Sequence, residues 1–146
     1  MDPIDLFWHS PPVFPSLTPP ELHLWWVSQD ALTWAIPSLR TLLEPAERTR
    51  ADRFYFERDR NHFTVARGML RILVGRYLQV PPASVRLVYG ERGKPGLQLE
   101  ANLPPLRFNL SHSGGVAVFG FSRDRELGID VERIRELSDL DQMARH

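Results

Sequence analysis

FNLSHSGGVAVFGFSRDRELGIDVE, residues 108–132, holds more structural and chemical signal than any other part of the chain. A Ser-His-Ser-Gly-Gly turn is followed by a compact apolar strand over Val116–Phe121. The charged run SRDRE predicts a second turn, and Leu127–Glu132 a returning strand. Alternate side chains of a strand share a face, so Leu127, Ile129 and Val131 are expected toward the core and Gly128, Asp130 and Glu132 away from it. Two carboxylates at i and i+2 repel each other unless a cation lies between them, and oxygen ligands are the kind Mg²⁺ takes. Asp130 and Glu132 therefore read as a magnesium pair, with surface acids on an edge strand as the plainer alternative. Gly128 removes a side chain where a ligand would approach.

The first half of this stretch supports a second chemistry. Ser111, His112 and the N–H groups of a glycine-rich turn can surround an anion. A nucleophilic serine with a histidine base is the rival. Adjacent residues in an extended strand point to opposite faces, and no Gly-x-Ser-x-Gly elbow is present, so hydrolysis is the weaker reading. A purely structural turn is the third.

Working outward, VRLVYGERGKPGLQL (85–99) reads as strand, glycine-rich turn and strand. Lys94, held between Gly93 and Pro95, projects with little freedom and suits a point-charge contact to phosphate, although a turn lysine often serves only solubility. NHFTVARGMLRILVGRYLQ (61–79) has helical spacing, with Asn61 as the expected cap and Phe63, Ala66, Leu70, Leu73, Tyr77 and Leu78 on the buried side. Gly68 and Gly75 would each cost about 1 kcal/mol relative to Ala in a helix interior, so they mark close packing. Arg60, Arg67 and Arg71 form one stripe, either a solvated basic face or a row that meets phosphate.

Pro45 is a helix-starting position for the segment that brings Phe54 and Phe56. In ELHLWWV (21–27), Leu22, Leu24 and Trp26 are expected on the core face of a strand, with Trp25 covering the other. Six of the thirteen prolines fall in residues 1–20, which predicts an extended or mobile lead-in without helix or ladder. RIRELSDLDQMARH (133–146) predicts an amphipathic helix with Ile134, Leu137, Leu140 and Met143 inward and no stop signal before the last residue.

A chain of 146 residues, 42% hydrophobic and 25% charged, suits one ordinary folded domain. Its formal net charge of zero gives no general attraction to nucleic acid or to a membrane surface. Without cysteine there is no disulfide, thiolate nucleophile or Cys-ligated zinc. No apolar run approaches the roughly 20 residues of a membrane helix, and the acidic start is unlike a signal peptide, so a cytoplasmic protein is expected.

Gly93-Lys94-Pro95, Phe108-Asn109-Leu110-Ser111-His112-Ser113-Gly114 and Gly128-Ile129-Asp130-Val131-Glu132, in that order and spacing, resemble the 4′-phosphopantetheinyl transferases of the long, Sfp-like type. The resemblance extends more loosely back through Arg48–Leu78. That family moves the phosphopantetheine arm of coenzyme A onto a serine of a carrier protein. The resemblance implies an α+β fold, a small, mostly antiparallel sheet packed on the long helix. It divides the chain into the lead-in 1–20, an amino-terminal half 21–105, and the start of a metal-binding region from 106 to 146.

Residue by residue, the resemblance implies that Arg50, Lys94, Asn109, Ser111 and His112 line the coenzyme. Lys94 would face the 3′-phosphate end and His112 a phosphate. Asp130 and Glu132 match the magnesium-binding Asp-x-Glu, and His112 and Glu132 are the implied catalytic residues. Coenzyme A and an apo carrier protein are the implied partners. Arg67 and Arg71 have no matching assignment. Family members continue into a second, pseudo-symmetric half carrying Trp/Phe-x-x-Lys-Glu-x-x-x-Lys, which supplies a further carboxylate. That segment is absent before His146, so the expectation is an incomplete enzyme, or else a silent half-domain that binds coenzyme A or pairs with a second polypeptide.

Overall fold

Apolar residues at helical spacing gather on one side of a 22-residue helix, α3 (Glu57–Leu78), against which the rest packs; the computed structural model describes residues 12–98 and 105–134. Ala66, Leu70, Leu73 and Tyr77 are buried as expected, whereas Phe63 and Leu78 are half-buried. Asn61 is not the cap. The helix begins one turn earlier, after Phe56 in an extended conformation, with Glu57 and Asp59 placed to complement the helix dipole. It ends where Gln79 turns left-handed and the Val80 N–H reaches back to the Gly75 carbonyl at 3.0 Å.

Both helix glycines mark close approach. A Cβ on Gly68 would lie 2.8 Å from Leu39 Cβ, and one on Gly75 would lie 2.7 Å from the Val80 carbonyl oxygen. Leu39 belongs to α1 (Ile36–Leu42), which lies on α3. Pro45 opens α2 (Pro45–Asp52), which is shorter than the run that follows it in sequence; Tyr55 and Phe56, in the linker to α3, stay exposed. A capping box formed by Glu44 and Glu47 starts α2.

The arginine stripe on α3 is not a solvated face. Arg71 is fully buried, and its Nε donates to Glu47 Oε1 at 3.0 Å while its Nη1 donates to the Val85 carbonyl at 2.7 Å. Tyr89 donates to the other Glu47 oxygen at 2.6 Å. The guanidinium at 71 packs against an acid because α2 brings Glu47, itself 3% exposed, under the helix.

On the other side of α3 lies an antiparallel sheet in the order β1 (His23–Ser28), β5 (Val116–Ser122), β4 (Arg107–Ser113). Gly114 and Gly115, both with positive φ, form the two-residue turn between β4 and β5, as the sequence requires of a tight hairpin. Phe119, Phe121, Ala117 and Phe108 face α3 and meet Leu70, Leu73, Val74 and Tyr77. A second hairpin pairs β2 (Leu87–Tyr89) with β3 (Pro95–Leu97), and Gly93 takes the left-handed position in its turn.

Two expectations are corrected by the register. Leu22, Leu24 and Trp26 were expected to face the core, yet they are 53%, 53% and 47% exposed. β1 pairs Leu24 with Gly120 and Trp26 with Val118, which places them on the face turned away from α3. The inward side chains are Trp25 and its neighbours: Trp25 Nε1 and His23 Nδ1 both lie 2.7 Å from the Tyr77 hydroxyl. Leu127–Glu132 is also not a strand. Leu127, Ile129 and Val131 are half-buried and Gly128, Asp130 and Glu132 exposed, so the alternation holds, but no ladder forms. The segment lies across the outer sheet face, where Gly120 makes room: a Cβ there would come 2.6 Å from Leu127 Cδ1.

Residues 12–20 contain neither helix nor ladder, in keeping with their prolines, but Leu17 is 5% exposed and joins the main core. This part of the lead-in is therefore anchored. The helix expected over 133–146 lies outside the described residues apart from Arg133 and Ile134. Among the described residues no helix is long and apolar enough to cross a membrane.

Burial pushes the Tyr77 phenol up to about 12. Its unfolded value lies near the ordinary 10, so above that pH the unfolded chain loses the proton while the folded chain keeps it. Stability is accordingly present below pH 10 and is lost as pH rises toward about 12. Denaturant unfolding across that window should show the decline, and Tyr77→Phe should lessen it, leaving the part due to Tyr89, whose phenol burial also pushes up; an unchanged slope in the variant would assign the decline elsewhere.

Candidate functional site

Where the amino-terminal half of α3 meets the β4–β5 tip, the surface opens into a cleft of about 390 Å³ lined by Arg50, Arg58, His62, Phe63, Arg67 and His112 among others. Arg50 comes from the last turn of α2, and His112 from the end of β4. The guanidinium groups of Arg50 and Arg67 both sit over the Phe63 ring, 5.3 and 5.1 Å from its centroid. Arg67 also stacks on Tyr89 at 5.5 Å. Burial lowers the Arg67 pKa from its ordinary value and Arg50 acts in the same direction, while Tyr89 and Glu47 oppose the shift. Cations therefore converge on an aromatic floor, an arrangement suited to an anion with several charges.

The predicted site residues divide between this cleft and other surfaces. Arg50 and His112 share it. Lys94 is exposed and lines a separate hollow with Arg107, Glu126 and Leu127. The two regions adjoin at Gly93, where an added Cβ would lie 3.5 Å from Arg50 Nη1. Asn109 and Ser111 face the other side of the sheet. Asn109 Nδ2 donates to the Leu127 carbonyl at 3.0 Å, and the Ser111 hydroxyl donates to Asp130 Oδ1 and accepts from the Val131 N–H, each at 3.2 Å. These two side chains clamp the acid-bearing segment onto the sheet. That segment then runs to the hairpin tip, where Arg133 packs beside Gly114.

Asp130 and Glu132 are both exposed, and one Asp130 oxygen is taken by the Ser111 hydroxyl. Among the described residues no group of three or more His, Asp or Glu side chains converges as a metal cage. Two carboxylates nevertheless form a donor set compatible with Mg²⁺, which commonly takes one or two carboxylates and completes its shell with water and substrate phosphate.

One cluster in the cleft wall escaped the sequence reading. Asp30 accepts from His62 Nε2 at 2.7 Å and meets Arg58 at 3.4 Å. The hydrogen bond from His62, with the charges of His62 and Arg58, holds the Asp30 carboxyl below its usual value. The backbone N–H of neighbouring Gln29 donates to the Gly115 carbonyl at 2.7 Å, tying the end of β1 to the hairpin tip. Asp30 and His62 are distant in sequence and follow no spacing rule, so only the tertiary fold brings them together.

Residues 25–122 match the family described as 4′-phosphopantetheinyl transferase, N-terminal. The chain belongs to the 4′-phosphopantetheinyl transferase family, a family of enzymes. It is 39% identical over 138 residues to the 4′-phosphopantetheinyl transferase HetI of Nostoc sp. (strain PCC 7120 / SAG 25.82 / UTEX 2576), a match covering 94% of this chain and 58% of HetI. The human L-aminoadipate-semialdehyde dehydrogenase-phosphopantetheinyl transferase is 34% identical over 91 residues, 61% of this chain and 29% of its own length. Similarity to the 4′-phosphopantetheinyl transferase Sfp of Bacillus subtilis (strain 168) is 29% over 98 residues, 67% of this chain and 42% of Sfp. The matches thus span about three-fifths or less of these relatives.

Proposed function

We propose that the chain carries the donor side of a magnesium-dependent transfer of 4′-phosphopantetheine from coenzyme A to a serine of an apo carrier protein. The observation that carries this reading is the cleft in which Arg50, Arg67 and His112 gather around Phe63. Coenzyme A presents a pyrophosphate and a 3′-phosphate, the kind of multiple anion such a cationic cleft recognises. Arg50 and His112 would hold phosphate oxygens from the cleft, and Lys94 would meet the 3′-phosphate end from the neighbouring turn. Asn109 and Ser111 would act by fixing the acid-bearing segment, and could still touch the coenzyme at its edge.

Asp130 and Glu132 are the residues that would hold Mg²⁺, which when bound supplies Lewis-acid stabilisation of phosphate charge. The reaction breaks a pyrophosphate P–O bond and forms a P–O bond to the serine, leaving 3′,5′-ADP. The hydroxyl proton must pass to a base or to water, and Glu132 is the described carboxylate we assign to that region. The absence of cysteine fits a reducing, cytoplasmic setting.

Incubation of apo carrier protein with coenzyme A, Mg²⁺ and the longest polypeptide that the reading frame around these residues encodes tests the proposal. Mass spectrometry should show addition of one phosphopantetheine arm per carrier, dependent on coenzyme A and Mg²⁺. A carrier left unmodified while an established transferase modifies it in parallel would count against the enzymatic reading. The open apolar face at Leu22, Leu24 and Trp26 favours a second reading, in which this chain acts only when paired with another protein segment.

A further inference from the structure

The β2–β3 hairpin that carries Lys94 has three residues in each strand, too short a ladder to hold its own place. Its turn is closed from within: the Gly90 N–H donates to the Lys94 carbonyl at 3.0 Å, and the Gly93 N–H to the Gly90 carbonyl at 2.9 Å. The turn therefore moves as a unit, and its place depends on how the hairpin is fastened to the body. At the base, Leu87 enters the core and Arg86 faces Glu44 at 3.6 Å. At the turn end, Tyr89 pairs with Pro95, the residue after Lys94. Its hydroxyl donates to Glu47 Oε2 at 2.6 Å, and among the described residues this is the side-chain hydrogen bond that joins the hairpin to α2. The acceptor is itself fixed. Glu47 is 3% exposed, and its Oε1 takes the Glu44 N–H at 2.9 Å and Arg71 Nε at 3.0 Å.

Three residues further along α2, at helical-neighbour spacing, stands Arg50, whose Nη1 lies 3.5 Å from where a Gly93 Cβ would sit. One helix thus holds both the anchor of the turn and the cation that faces the turn. We propose that Tyr89 is a positioning residue: its hydroxyl, tied to Glu47, seats the Lys94 turn beside Arg50 and so sets the preference for a donor that carries a 3′-phosphate. The inference rests on the coenzyme A reading of the site and adds to it the group that aims Lys94. The hydroxyl points into the protein, toward a buried carboxylate, so it acts through Lys94 and not on the ligand. Dephospho-coenzyme A lacks the 3′-phosphate, so the tie bears on one donor and not on the other. A turn seated before the ligand arrives loses less freedom on binding. Glu47 then has two tasks, as counter-charge to Arg71 and as seat for the turn.

In the test, the longest polypeptide that the reading frame around these residues encodes is titrated calorimetrically with coenzyme A and, separately, with dephospho-coenzyme A. Tyr89→Phe keeps the ring on which Arg67 stacks and removes only the hydroxyl. The parent's preference for coenzyme A should shrink by about 3- to 10-fold in the variant, the factor to which one net hydrogen bond converts, with dephospho-coenzyme A bound as before. Lys94→Ala should shrink the same preference. Tyr89→Phe/Lys94→Ala should shrink it no further than Lys94→Ala, because no lysine is left to position. Glu47→Leu/Arg71→Met also leaves the hydroxyl without its acceptor; it should narrow the preference alike and serves if the Phe variant does not fold. An unchanged preference, equal weakening of both ligands, or losses that add in the Tyr89–Lys94 pair overturn the inference and leave the donor-site reading intact. A parent that binds both ligands equally removes the 3′-phosphate role of Lys94 and the inference with it. A parent that binds neither overturns the donor-site reading as well.

Discussion

Glu47→Ala should lower folding stability by about 3–5 kcal/mol, the cost of leaving a buried ion-pair partner uncompensated. Arg71 would keep its charge at 0% exposure, with only the half-buried Glu44 carboxylate left 3.6 Å away. Tyr89 would lose its acceptor, and the backbone N–H of Glu44 would lose the side-chain half of the capping box. Glu47→Gln should cost less, because an amide oxygen still accepts from Arg71. The double variant Glu47→Leu/Arg71→Met should recover most of the loss, since replacing both members of a buried pair with apolar groups is often neutral or stabilising. Denaturant unfolding of the three variants decides the matter. A loss under about 1 kcal/mol for Glu47→Ala would show that water reaches Arg71 and that the pair behaves like a surface one.

If the proposed function holds, Asp130→Ala should reduce Mg²⁺-dependent phosphopantetheine transfer by about a hundredfold or more, since several kcal/mol of charge stabilisation at the transferring phosphate would go with it. The side chain is exposed and accepts a hydrogen bond from the Ser111 hydroxyl at the protein surface, so the melting temperature should change little. Ser111 still accepts from the Val131 N–H, which keeps the segment on the sheet. Initial transfer rates across a Mg²⁺ titration are the measurement. Unchanged rates would make the acid pair an ordinary surface feature, and a loss matched by unfolding would make it a structural one.

Local chemistry made several elements legible from sequence. The Gly114-Gly115 turn, the Gly93 turn and the body of α3 follow from residue types whose backbone preferences are strong. The face of β1 did not, because both alternations of ELHLWWV offer apolar side chains. The choice fell to Tyr77, whose hydroxyl meets Trp25 and His23 from another element. For Leu127–Glu132 the alternation was right and the ladder was not: lying flat on a sheet selects the same period as pairing beside one. Tertiary placement likewise separated Arg71 from Arg67, because only the path of α2 reveals which arginine receives Glu47. In the cleft, Asp30 and His62 carried no readable spacing.

Ser111 and His112 are consecutive, and the pleat of β4 sends one toward Asp130 and the other into the cationic cleft. Among the described residues the thickness of a single sheet thus separates the acid side from the arginine side, and the acid-bearing segment reaches the glycine tip through Arg133. A small anion can touch one side at a time. To engage both, a ligand must be long, jointed and able to bend round an edge, so molecular length becomes a selection criterion alongside charge. Under the proposed function, a free phosphate would meet the charge of one face without spanning both.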